Sequence, residues 1–161
     1  MLTAQTGGRV FRPATAADLP AIVAMLADDE LGRQRERPEL PLDPRYDAAF
    51  SAIGADANQL LAVVEEDGEI VGCLQLSFIP GLSRLGMWRG QIESVRIAAS
   101  RRGGGLGQAM FEWAIAECGK RGCGLVQLTT DKARPDALRF YERLGFKASH
   151  EGMKLNLDAE G

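Results

Sequence analysis

The chain has 161 residues, of which 45% are hydrophobic and 25% charged, and a formal net charge of −3. That length and balance suit one globular domain with a real core and exclude a disordered chain. The charge gives no general attraction to nucleic acid or to anionic membranes, and no apolar stretch approaches the roughly 20 residues of a bilayer span.

Residues 1–8 are short and polar, lack the apolar region of a signal peptide and read as a flexible tail, leaving 9–161 as one domain. Val10 to Arg12 predicts a short first strand. Thr15 with Asp18 three residues on resembles a capping box, and Leu19, Ile22, Val23 and Leu26 then form an apolar helical stripe. Pro20 fits only in the first turn of that helix. From Leu31 to Asp56 the prolines Pro38, Pro41 and Pro44 and the charged run Arg33, Arg35, Glu36 and Arg37 predict a loop, with a short helix around Tyr46 to Ile53. Leu60 to Glu65 and Ile70 to Phe78 read as strands joined by the hairpin turn Asp67-Gly68. Gln91 to Ile97 is a further strand, and a glycine cluster leads from it into a helix ending near Arg121. A strand over Leu125 to Thr129 and a helix over Pro135 to Leu144 follow, then two short strands, Phe146 to Ser149 and Met153 to Leu157. This order predicts a mixed α/β domain with one curved sheet and helices on both faces.

Cys73, Cys118 and Cys123 are odd in number and lack metal-ligand spacing, which predicts buried thiols, no metal site and a reducing, cytoplasmic setting. His150, the only histidine, reads as a turn residue.

The glycine cluster Gly103-Gly104-Gly105-Leu106-Gly107 stands between a strand and a helix start, where backbone N–H groups and the helix dipole favour an anion. The Walker pattern fails because no Lys-Ser or Lys-Thr opens the helix, and G-x-G-x-x-G fails in both registers. The pattern [QR]-x-x-G-x-[GA] fits Arg102, Gly105 and Gly107. With the strand Ile92 to Ile97 running into this loop, the segment Phe140-Tyr141-Glu142-Arg143-Leu144-Gly145-Phe146 downstream and the opening Arg12 to Pro20, the chain resembles the GNAT superfamily of acetyl-CoA-dependent N-acetyltransferases.

The resemblance implies a curved, mostly antiparallel sheet with a central splay. It also implies acetyl-CoA as co-substrate, with its pyrophosphate on Arg102, Gly103, Gly104, Gly105, Leu106 and Gly107. The pantetheine arm would pair with backbone at a bulge near Val95, Arg96 and Ile97, where an N–H near Val95 would serve as oxyanion donor. Arg101, Arg134 and Arg139 are implied contacts of the 3′-phosphate. Tyr141 matches the tyrosine that protonates the departing thiolate, a phenol of pKa about 10 being able to donate to a thiolate of pKa about 8.5. Glu93 matches a common general-base position, needed because an ammonium is no nucleophile until it loses a proton. The plainer alternatives are a core aromatic for Tyr141 and, for Glu93, an ion pair with Arg96 or a contact to substrate charge.

The family's acceptor site falls on roughly Asp28 to Asp43 and Gly81 to Arg89. Arg33, Arg35, Arg37, Arg84 and Arg89 there favour a small amine that also carries an anionic group: an amino acid, an amino sugar phosphate or an aminophosphonate. A protein lysine or N-terminal amine stays open, as does an acyl-CoA sensor that transfers little. An unrelated α/β domain with a fortuitous glycine loop is disfavoured by the two failed motifs. A homodimer would suit the family.

Overall fold

The computed structural model describes residues 3–158. Its sheet has six strands in sequence order: β1 (Ala4–Thr6), β2 (Arg9–Pro13), β3 (Gln59–Glu66), β4 (Glu69–Ile79), β5 (Trp88–Ile97) and β6 (Cys123–Gln127). The first five pair antiparallel. Residues 4–6, expected within a flexible tail, instead pair with β2. Gly7 and Gly8, with φ of +59° and +83°, form the two-residue turn that makes this pairing possible. Asp67 and Gly68, at φ +50° and +80°, close the predicted β3–β4 hairpin in the same way.

The helices are α1 (Leu19–Ala27), α2 (Glu30–Arg35), α3 (Pro44–Ala55), the single turn α4 (Ser83–Gly86), α5 (Leu106–Lys120) and α6 (Pro135–Arg143). Pro20 sits in the first turn of α1, where its missing donor costs nothing. Asp18 accepts from the Thr15 amide at 2.7 Å, as the capping box requires, and takes a two-pronged contact from Arg12 at 2.8 and 3.0 Å. Arg12 thereby holds the Asp18 carboxyl below the usual carboxylate range, against the opposing pull of burial. α2 was expected as loop; Asp29 caps its first turn by accepting from the Gly32 amide.

Period-two alternation gives the sheet two faces. On one, Leu60, Ala62, Leu74, Leu76 and Ile92 are buried, and α5 covers them with Met110 against Gly72 and Cys118 against Gly90. On the other, Val63 and Cys73 form a core cluster with Ile22 and Met25 of α1. Helices thus lie on both faces, as expected for this mixed α/β class.

The described residues fall into two compact units that divide between Val126 and Gln127. The first holds β1 to β5, nearly all of β6, and α1 to α5; the second holds α6 and the segments on either side of it. The two predicted final strands are not formed: residues 146–157 are irregular. Met153, Leu155 and Leu157 are exposed there and join no ladder among the described residues.

Candidate functional site

β5 leads through one short 3-10 turn (Ala99–Arg101) into the glycine loop. Gly103 and Gly105 have φ of +83° and +81°, a left-handed conformation that side chains with a β-carbon adopt poorly. Gly105 is the N-cap of α5 and offers no side chain to its first amides. Those amides have no carbonyl partner within the helix, so the loop end presents N–H donors and the positive end of a 15-residue helix to an external anion. Arg102 reaches back to Asp28, with its guanidinium 3.2 Å from the carboxylate and 3.4 Å from the carbonyl. The Arg101 guanidinium lies 2.8 Å from Glu66, which Arg9 also contacts. Those two arginines hold the Glu66 carboxyl below its ordinary range.

Immediately before the loop, β5 is bulged. Gln75 stands opposite Glu93 and Cys73 opposite Arg96, so one residue on β4 faces the two residues Ser94 and Val95. Ser94 takes a φ of +55°, which accommodates the extra residue. The bulge leaves Ser94 and Val95 sharing one position on β4, and their carbonyls take side-chain donors, the first from Cys73. The second is taken by Arg96, which donates to the Val95 carbonyl at 2.9 Å; the Arg96 guanidinium also lies 3.8 Å from Asp29. That ion pair ties the start of α2 to the bulge.

Glu93 sits one residue before the bulge and is exposed. Its carboxylate lies 3.4 Å from the Ser77 hydroxyl and 3.5 Å from the Gln91 amide nitrogen. Ser77 and Gln75 both donate to the Gln59 carbonyl oxygen at 3.0 Å. Gln59, Gln75, Ser77 and Gln91 were absent from the sequence reading; the signal was the polar period-two spacing of Gln75 and Ser77 inside an otherwise apolar strand.

A cavity of about 420 Å³ lies between the end of α1 and the turn after β5, lined by Ala24, Met25, Asp28, Pro38, Ala98 and Ala99. The arginine-bearing segment is adjacent in sequence. Its loop is pinned by Tyr46, whose hydroxyl donates to Glu36 at 2.6 Å and accepts from the Arg37 amide at 3.0 Å. Arg37 pairs with Asp43 at 3.7 Å. Arg33 and Arg35 are exposed, and no carboxylate partner is found for either among the described residues. In the second segment Arg84 and Leu85 have φ of +53° and +59°, and Leu85 is fully exposed.

Tyr141 and Arg134 lie in the second compact unit. Arg134 is the N-cap of α6. Tyr141 packs edge-on against Phe140 and Phe146, with ring centroids 5.7 and 6.3 Å apart, and its carbonyl accepts from the Phe146 amide at 3.1 Å. The F-Y-x-x-x-G-F segment therefore closes on itself around the helix end.

The family model of the acetyltransferase (GNAT) family matches residues 22–146. This chain is a GNAT acetyltransferase. Its match to the aminoalkylphosphonate N-acetyltransferase of Salmonella typhimurium is 30% identical over 143 residues, covering 87% of this chain and 86% of that one. A 38% identical match over 90 residues to the glucosamine 6-phosphate N-acetyltransferase of Trypanosoma brucei brucei spans 56% of this chain and 59% of that one. The crystal structure of a transcriptional regulator from Bacillus halodurans C-125 superposes with a TM-score of 0.89 at 54% identity, covering 91% of this chain and 98% of that one.

In this GNAT acetyltransferase the sequence-predicted residues fall into three groups. Glu93, Val95, Arg96 and Ile97 share β5; Arg101 to Gly107 run from the 3-10 turn through the glycine loop into the start of α5; Arg134 caps α6, which carries Tyr141. Among the described residues no group of three or more His, Cys, Asp or Glu side chains is gathered as for a metal ion, and no helix is long and apolar enough to cross a membrane.

Proposed function

We propose that the chain transfers an acetyl group from acetyl-CoA directly to the primary amine of a small metabolite that also bears an anionic group, working in the cytoplasm with both compact units as one catalytic domain. The observation that carries this reading is the β5 bulge running into an uncapped helix N-terminus. It interrupts the ladder beside a carboxylate, one short turn ahead of a helix start that favours an anion. Acetyl-CoA supplies the thioester. In this reading the amides of Gly103 to Gly107 and the dipole of α5 hold its pyrophosphate, with Arg102 beside them. The backbone of Val95 and Ile97 pairs with the pantetheine arm, and the Val95 N–H donates to the carbonyl oxygen that gains charge. Glu93 accepts the proton of the ammonium, which frees the nitrogen lone pair to attack. Tyr141 gives its proton to the departing thiolate, and Arg134 contacts phosphate. Arg101, paired with Glu66 at 2.8 Å, would also reach phosphate in this reading.

The anionic group of the acceptor is supported from two sides. Arg33 and Arg35 are exposed beside the proposed acceptor side. The Salmonella and Trypanosoma relatives are named for a phosphonate and a phosphate amine. A second reading, a sensor that binds acyl-CoA without turnover, is favoured by the Bacillus halodurans structure being that of a transcriptional regulator.

Thiol release from acetyl-CoA separates the readings. It would be run with aminophosphonates, amino sugar phosphates, amino acids, polyamines and lysine peptides, with wild type beside Tyr141→Phe and Glu93→Gln. Amine-dependent release that falls in both variants is the expected result. Acetyl-CoA binding with no release across the panel would favour the sensor, and release with lysine peptides alone would move the acceptor to protein.

A further inference from the structure

The sheet face that α1 covers at one end is polar at the other. Gln59 stands opposite Ser77, Ser77 opposite Gln91, and Gln75 opposite Glu93. All five side chains therefore share one face. Ser77 is only 7% exposed. Its hydroxyl carries a single proton and has two acceptors within reach, Gln59 at 3.0 Å and Glu93 at 3.4 Å. Given to Gln59, the proton leaves Ser77 facing Glu93 with its lone pairs. Given to Glu93, it leaves Gln59 with the Gln75 amide alone. Among the described residues Glu93 otherwise receives the 3.5 Å contact of Gln91, a weak one for a carboxylate that can accept about four hydrogen bonds.

We propose that Ser77 and Gln59 are positioning residues for Glu93, with the Ser77 hydroxyl turning between Glu93 and Gln59 as Glu93 loses and gains its proton. This rests on the reading of Glu93 as the base. While Glu93 is ionised, Ser77 donates to it and aims its free oxygen outward. When the ammonium proton moves from nitrogen to that oxygen, Ser77 keeps its own proton and donates to Gln59. A neutral carboxyl is a weaker acceptor than a carboxylate, so the Ser77 proton returns to the shorter 3.0 Å contact with Gln59. Gln59 can serve as the second acceptor because Gln75 fixes its amide.

The test uses steady-state kinetics on the whole chain, with acetyl-CoA and whichever of 2-aminoethylphosphonate or glucosamine 6-phosphate the wild type acetylates faster. Ser77→Ala is expected to lower kcat about tenfold while leaving the KM for acetyl-CoA unchanged, the signature of a misaligned base rather than a damaged cofactor site. Ser77→Thr, which keeps the hydroxyl, restores kcat; Gln59→Leu falls between the two. Wild-type kcat in Ser77→Ala, beside a crippled Glu93→Gln, would overturn the positioning role and leave Glu93 as base. A fully active Glu93→Gln, or a wild type that acetylates neither amine, would remove the base reading and this inference with it. A KM for acetyl-CoA that rises in step with the fall in kcat would make Ser77 a structural residue and also overturn the proposal.

Discussion

The two ends of one sheet face make an instructive contrast. Val63 and Gln59 lie four residues apart on β3 and point the same way, yet one is fully buried under Ile22 and Met25 and the other belongs to a polar cluster. α1 decides the difference. Where it lies, water is excluded and packing dominates; burial pushes the Cys73 thiol up to about 12, outweighing the opposing pull of nearby Arg96. Where α1 ends, the face keeps hydrogen-bonding groups that a folded core would not tolerate unless they had partners. The same strands thus carry a packed core at one end and the polar groups of the proposed site at the other, and the β5 bulge marks the boundary.

That contrast can be broken from either side. Glu93→Gln should have the largest effect, a fall in kcat of about 10²-fold or more with an unchanged melting temperature, read by kinetics beside thermal unfolding. Val63→Ala should do the reverse, costing about 2 kcal/mol of stability by urea unfolding while leaving the KM for the amine near wild type. Gly105→Ala puts a β-carbon into the left-handed region at φ +81°. At about 1–2 kcal/mol of strain it should raise the Kd for acetyl-CoA roughly tenfold by calorimetry and leave amine recognition intact. The smallest effect concerns Cys73. Because its folded pKa is raised above the ordinary thiol value of 9.0, the stability it contributes is fully present below pH 9 and is lost as pH climbs toward about 12. Urea midpoints of Cys73→Ala should therefore fall less steeply than those of wild type above pH 9. A thiol reagent at pH 8 should reach Cys73 only on unfolding.

Much of this was legible from side chains alone. The Asp67-Gly68 turn fixed the β3–β4 hairpin, and the Thr15–Asp18 pair marked the entry to α1. Gly103 and Gly105 stand where positive φ is needed. The failures have physical causes. The final strands were expected on either side of Glu151-Gly152, but a strand exists only where a neighbour completes its ladder, and none does in the described residues. α2 is six residues long, too short for periodicity to speak; its one clear sign was Asp29 as a cap. Gln75 and Ser77 stand out as polar residues at period two in an apolar strand, but their partnership with Gln59 depends on cross-strand register, which sequence shows only once both strands are aligned. The bulge was expected only through the family resemblance, near Val95; no side chain marks it, Ser94 being an ordinary residue at φ +55°.

The central claim is that this GNAT acetyltransferase passes an acetyl group to an amine that also carries an anion. Transfer of radiolabelled acetyl from acetyl-CoA to 2-aminoethylphosphonate, measured against ethanolamine under the same conditions, tests it most directly. The account predicts labelled product with a clear preference for the phosphonate in kcat/KM, a preference that shrinks when Arg33 and Arg35 are replaced by Ala. Equal rates with the two amines, or no labelled product from either, would contradict it.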